Sequence, residues 1–246
     1  MIIGVSLKMY FSHARTVEWV SEVAEIVRAR PAAPTVTAFV IPQYPSIPAA
    51  LAVAGPLEVG AQDLAAEDAG AFTGEVSGAV LAELGCRFVE VGHAERRRLF
   101  GETDEIVADK VHAALRNTLT PVLCVGEAER IDQKAAAEVC IEQIRSGVSA
   151  AEAAGITGPI VVAYEPLWAI GAAEPASSDH IRGVCSRLRA HLRSSHDDAR
   201  VIYGGSAGPG LLTTIADSVD GVFLGRFAHD PSAIRDILDE VALLGA

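Results

Sequence analysis

From its second residue onward the chain alternates, eight times over, between a short apolar run and a longer stretch. The runs lie at 2–6, 35–40, 57–61, 87–91, 121–125, 159–163, 200–203 and 219–224. Most are apolar without strict alternation, the pattern of parallel strands covered on both faces. Helical periodicity fills the intervals, most clearly at 16–30, 105–117, 133–154 and 179–195. No Gly/Ser-rich linker interrupts the series, so residues 1–246 read as a single domain. Eight strand-then-helix units of this length predict an α/β fold closed into a (β/α)8 barrel. An open doubly wound sheet is the lesser fit, since no Gly-x-Gly-x-x-Gly follows the first strand. A barrel makes a sharp demand: chemistry belongs at the C-terminal ends of the strands.

Composition narrows the class of ligand. Half of the 246 residues are hydrophobic, enough for a large core, and the formal net charge is −12. That balance argues against nucleic acid or an anionic membrane as a partner, because both need a positive face. An anionic small molecule stays compatible if its site carries local positive charge. Cys86, Cys124, Cys140 and Cys185 show neither Cys-x-x-Cys nor zinc spacing and are expected as buried, reduced thiols. The opening "MIIGVSLKMY" has no leader pattern, and no apolar run approaches the roughly 18 residues of a membrane span, so a cytoplasmic protein is expected.

The strand ends carry polar residues. Lys8 follows the first run, Gln62 the third, His93 and Glu95 the fourth, Glu127 the fifth and Glu165 the sixth. "YGGS" (203–206) ends the seventh, and Gly225 with Arg226 ends the eighth. Taken singly, each has a plain structural reading: a loop lysine, a helix-capping histidine, turn glycines. The charged run Glu95, Arg96, Arg97 and Arg98 reads mostly as a solvated helix start. A barrel, however, brings all these ends to one mouth. A carboxylate, a histidine and a lysine together suit proton transfer between carbons next to a carbonyl. Glu165 would be the base, neutral His93 the shuttle between two oxygens, and Lys8 the fixed charge facing an enediolate. This chemistry requires no metal or cofactor, and no acidic or histidine cluster has ligand spacing. "GSAGPG" (205–210) offers backbone N–H groups to a phosphate, with Gly171 and Gly225 adding amides. "EPLWAIG" (165–171) suits a lid, with Pro166 as a stiff hinge and Trp168 as its apolar body. In "VFLGRFAHDPSAI" (222–234), Asp230 and Pro231 look like the N-cap and first position of a helix. Arg226 stands between that helix and the strand.

The motifs "GHAERR" (92–97), "AYEPLWAIG" (163–171), "YGGS", "CVGE" (124–127) and "GAFTGEVS" (70–77) closely resemble triosephosphate isomerase along nearly the whole chain. The resemblance implies a TIM barrel without cofactor, with Glu165 as base, His93 as electrophile and Lys8 as electrostatic anchor. Glu95 and Cys124 would support them. The amides of Gly171, Ser206 and Gly225 would hold a phosphate. It also implies a homodimer in which the loop 71–75, with Phe72 and Thr73, docks near the partner's site.

Departures from the family pattern cluster around the mouth. Ser6-Leu7-Lys8 stands where the family carries Asn-Trp-Lys, and Gly225-Arg226 where it carries Gly-Gly. The lid tip reads "GAAEPAS" (171–177), and Ala94 replaces a usual serine. Serine in place of asparagine frees space beside the reacting carbons and keeps one hydroxyl. That space suits the extra hydroxymethyl group that a tetrulose phosphate has and a triose phosphate lacks. Arg226 would offer a planar charged fork to the phosphate or to the lid, with Glu174 as a partner. This combination resembles a divergent branch of the family that interconverts L-erythrulose 1-phosphate and D-erythrulose 4-phosphate in tetritol catabolism. Ordinary triosephosphate isomerase activity on dihydroxyacetone phosphate, in glycolysis, is the alternative. A non-catalytic relative would be expected to lack Glu165, His93 or Lys8. A Schiff-base aldolase would need a lysine near the end of the sixth strand.

Overall fold

Alternate residues of a strand face opposite sides of its sheet, and here both sides are apolar. In the computed structural model, which describes residues 1–30, 36–193, 196 and 198–245, β2 (Thr37–Ile41) shows the reason. Phe39 and Ile41 join a core inside the sheet, while Ala38 and Val40 join a larger core between sheet and helices. The sheet is a ring. β1 (Ile2–Ser6), β2, β3 (Glu58–Ala61), β4 (Phe88–Val91), β5 (Thr120–Val125), β6 (Val161–Tyr164), β7 (Arg200–Tyr203) and β8 (Gly221–Leu224) pair in parallel and in chain order. The ring closes where β1 meets β8, in register from Ile2↔Gly221 to Val5↔Leu224.

The interior core stacks Phe39 on Phe88 with ring centroids 4.3 Å apart. Gly4 makes room for them, since a Cβ there would lie 2.3 Å from the Phe39 ring. The same alternation, followed to the strand ends, turns polar. Above Gly4 comes Ser6, above Phe88 comes Glu90, above Val122 comes Cys124, and above Ala163 comes Glu165. The site is therefore the uppermost layer of the interior stack.

Around the ring lie α1 (His13–Arg28), α2 (Ile47–Val53), α3 (Gly78–Leu84), α4 (Ala94–Phe100), α5 (Asp104–Arg116), α6 (Gln133–Ala153), α7 (Ser178–Leu192), α8 (Leu212–Ile215) and α9 (Ser232–Leu244). The eight expected units are present, with shifted ends. α1 begins three residues before the periodic segment at 16, because Ser12 caps it by accepting the Arg15 N–H at 3.2 Å. β6 starts at Val161 rather than at Pro159, and β8 at Gly221 rather than at Val219. Thr35, expected in the second strand, and Ser194 and Ser195, expected in the helix 179–195, lie outside the described residues.

The connection after β8 also differs from expectation. Residues Arg226–His229 form a short 3-10 helix, and α9 starts only at Ser232, with Pro231 as its cap residue. Asp230 still serves that start, since its carboxylate accepts the Ser232 N–H at 2.9 Å. All four cysteines are buried and free. Among the described residues no helix is long and apolar enough to cross a membrane.

Candidate active site

A cavity of about 780 Å³ opens at the C-terminal end of the ring. Glu165, just past β6, is buried in its floor. Burial, opposed chiefly by His93, pushes its carboxyl up to about 7 from the ordinary 4.5. Oε2 has no hydrogen-bond partner among the described residues and lies 3.6 Å from His93 Nε2. The Cys124 thiol, kept protonated by its burial, lies beside this carboxyl and donates to the Val122 carbonyl at 3.9 Å. Glycine is required at 204, because a Cβ there would stand 2.4 Å from Glu165 Oε1 and 2.7 Å from its Cγ.

His93 caps α4. Its Nδ1 accepts the Glu95 backbone N–H at 3.1 Å, so the ring proton sits on Nε2, the nitrogen that faces Glu165. Lys8 reaches the same space from a left-handed backbone at φ +47°, a conformation that costs a lysine about 1–2 kcal/mol. Gln62 holds it there, donating to the Lys8 carbonyl at 2.8 Å and to the Ile41 carbonyl at 3.1 Å. Lys8 Nζ pairs with Glu95 Oε1 at 2.8 Å. Burial opposes both charges, yet the pair outweighs it, leaving the ammonium above and the carboxyl below their ordinary values.

Arg96 departs from the solvated helix start expected of its run, while Arg98 stays exposed. Arg96 bridges Asp63 at 2.8 Å and Glu102 at 2.6 Å, and both of these carboxylates also bond the buried Lys110. Arg97 pairs with Asp104 at 2.6 Å, and Arg98 lines the mouth. The partners of Arg96 lie in the loops after β3 and after α4, which pins α4 and thereby His93 and Glu95.

The lid after β6 hangs on Glu127. This buried carboxylate does not line the cavity; it accepts Trp168 Nε1–H at 2.9 Å and the Tyr164 hydroxyl at 3.1 Å. His180 Nε2 lies 3.0 Å from the same tyrosine oxygen. Arg130 sits over the Trp168 ring at 4.4 Å. At the far end of the lid the Ala176 N–H donates to the Tyr203 hydroxyl at 3.0 Å. Ser206, also left-handed at φ +59°, donates its hydroxyl to the lid carbonyls of Ala169 (2.8 Å) and Ala172 (3.1 Å). Its own N–H is turned to the Gly204 carbonyl at 3.0 Å. Arg226 donates to the Gly171 carbonyl at 3.2 Å, and no ion pair to Glu174 forms among the described residues. Gly171, Ser206, Gly225 and Arg226 thus share one wall of the cavity.

Ser6 lies buried in the floor and donates to Glu90 Oε2 at 3.0 Å. Sequence reasoning missed Glu90. The signal was a lone carboxylate in the apolar run "FVEV", on the interior parity of Phe88. Phe72 and Thr73 stand exposed in the loop between β3 and α3, away from the cavity lining. Among the described residues no group of three or more His, Cys, Asp or Glu side chains is placed to hold a metal ion.

Comparison with known proteins fits this geometry. The family model for triosephosphate isomerase matches residues 1–241. The chain is 50% identical over 252 residues to L-erythrulose-1-phosphate isomerase of Pectobacterium atrosepticum, covering 100% of this chain and 97% of that one. It is 37% identical to triosephosphate isomerase of Cutibacterium acnes, covering 91% of each chain. With the triosephosphate isomerase of a Synechococcus species it shares 35% identity over 100% of this chain and 99% of the other.

Proposed function

The chain belongs to the triosephosphate isomerase family, and we propose that it interconverts L-erythrulose 1-phosphate and D-erythrulose 4-phosphate. The observation that carries the reaction type is the buried, unpartnered Glu165 oxygen 3.6 Å from His93 Nε2. A base and an acid held that close serve two adjacent carbons and their oxygens.

Glu165 removes the proton from C3 of L-erythrulose 1-phosphate. The electron pair moves toward C2, and the C2 carbonyl oxygen takes the proton of His93 Nε2. Lys8 stabilises the negative charge that builds on the enediolate. His93 recovers a proton from the C3 hydroxyl, whose oxygen becomes the new carbonyl, and Glu165 returns its proton to C2. Carbonyl and hydroxyl have exchanged places with no external oxidant or reductant. A base poised near pH 7 matches the task, since it takes and returns a proton at similar cost. The amides of Gly171, Ser206 and Gly225 hold the phosphate, the Ser206 N–H turning from the Gly204 carbonyl to do so. Arg226 adds its charge there through the lid. Closure of the lid over Trp168 keeps water from the enediol.

The four-carbon substrate is supported by the small side chain of Ser6 beside the reacting carbons and by the full-length likeness to the Pectobacterium enzyme. We also place the chain in a homodimer. Phe72 and Thr73 would dock on the partner, and the exposed Met9, Tyr10, Phe72 and Phe100 support an apolar interface.

The test is kcat/KM of the purified protein on L-erythrulose 1-phosphate and on dihydroxyacetone phosphate. The tetrulose should be favoured, and Ser6→Asn should narrow or reverse that preference by roughly 10- to 100-fold, the range of such pocket contacts. A wild-type preference for dihydroxyacetone phosphate would overturn the tetrulose reading and leave a triosephosphate isomerase.

A further inference from the structure

Glu90 is the one charged side chain of β4, and it points into the barrel from the layer above Phe88. It is 3% exposed. One carboxyl oxygen is satisfied, Oε2 accepting the Ser6 hydroxyl at 3.0 Å. The other, Oε1, is buried without a hydrogen-bond partner among the described residues and lies 3.9 Å from His93 Nε2. Two unpartnered carboxyl oxygens therefore flank the same imidazole nitrogen: Glu165 Oε2, which the mechanism uses, and Glu90 Oε1, which it does not. Leaving such an atom unsatisfied is unfavourable, so it is suited to a ligand that satisfies it.

Matching the site to the substrate leaves one pair over. The phosphate goes to the wall of Gly171, Ser206, Gly225 and Arg226. The two oxygens that exchange carbonyl character go to His93 and Lys8. On the substrate only the terminal hydroxyl remains; among the described residues of the floor, only the Ser6–Glu90 pair. We propose that Glu90 is a specificity-determining residue whose Oε1 receives the terminal hydroxyl of a four-carbon ketose phosphate, with Ser6 orienting the carboxyl. A hydroxyl suits a carboxyl in either protonation state, donating to the carboxylate or accepting from the acid. This goes beyond spare volume at Ser6. Room for a substituent merely tolerates the larger substrate, whereas a buried polar group that only its hydroxyl completes disfavours substrates lacking that hydroxyl. The proposal rests on the tetrulose reading.

The experiment compares L-erythrulose 1-phosphate with its 4-deoxy analogue, which keeps the fourth carbon and lacks only the hydroxyl. The wild-type protein should prefer the hydroxylated substrate in kcat/KM. Glu90→Leu should shrink that preference about 10- to 100-fold. Glu90→Gln, which keeps a hydrogen-bonding oxygen, should retain part of it. Because the readout is a ratio, an inactive fraction in a preparation does not shift it. If the leucine variant does not fold, Glu90→Gln and Ser6→Ala carry the test, each expected to lower the ratio by a smaller factor. A ratio unchanged in the variants overturns the assignment to Glu90 while leaving the tetrulose reading intact. A wild-type preference for dihydroxyacetone phosphate removes the tetrulose reading, and the role of Glu90 falls with it. A ratio unchanged but turnover lost on both substrates shows Glu90 positioning His93 instead.

Discussion

Glu165→Gln should make the protein inactive and, above neutral pH, more stable. The unfolded chain gives up the Glu165 proton near 4.5, whereas the native state holds it to about 7. Between those values the native state binds more protons than the unfolded one, so stability falls as pH rises through the window. Glutamine has the same shape and no charge, and its stability does not follow this titration. Below pH 4.5 the variant should have no advantage of this origin. Above pH 7 the advantage should reach about 3 kcal/mol, the full width of the window converted to free energy. Urea unfolding of both proteins at pH 4.5, 6, 7 and 8, at one fixed protomer concentration and without phosphate, measures the difference directly. Other titrating groups largely cancel in that subtraction. Turnover of the variant should drop by several orders of magnitude, because an amide cannot accept the carbon-bound proton. The wild-type kcat/KM should rise with pH through the same value near 7. A stability difference that stays flat from pH 4.5 to 8 would show that burial does not hold the base protonated, and the account of its tuning would fail.

Gly204→Ala would place a methyl 2.4 Å from Glu165 Oε1 and push the base aside. kcat should fall about 100-fold with the fold intact by circular dichroism, and near-native kcat would refute the close approach. Arg226→Gly should weaken inorganic phosphate and both phosphorylated substrates together by roughly tenfold, the range of a lost charged hydrogen bond. An effect on only one substrate would remove Arg226 from the phosphate wall. Sedimentation at micromolar concentration should give a dimer, and Phe72→Asp should shift it toward monomer; a fully active monomer would refute the docking of that loop.

The barrel and the meeting of Lys8, His93 and Glu165 at one cavity were legible because one rule connects them. Apolar runs repeating eight times imply a ring, and a ring brings Lys8, His93 and Glu165 to one mouth although they are far apart in sequence. The same view hid Glu90. An apolar reading of "FVEV" absorbs a single carboxylate, and only the strict parity of an interior layer shows that it faces Glu165 rather than a helix. Arg96 was misjudged for a related reason. Its partners Asp63 and Glu102 lie in loops outside its helix, so its local run looked like a solvated surface. The start of α9 was missed by one residue: Asp230 does serve that helix, but from beyond a short 3-10 turn that no periodicity announces.

The seam between β1 and β8 has a consequence for how the protein comes into being. Ser6 and Lys8 leave the ribosome well before Gly225 and Arg226, yet they line one cavity. Until the last strand docks, the ring is an open sheet with two unpaired edges, and its floor carboxylates face water. The site thus does not mature piecemeal during synthesis. It comes into existence in one late step, when the long-range contacts that slow folding are made. Chains stopped before residue 221 should therefore be recognised by quality control as sticky, incomplete sheets rather than as weak enzymes.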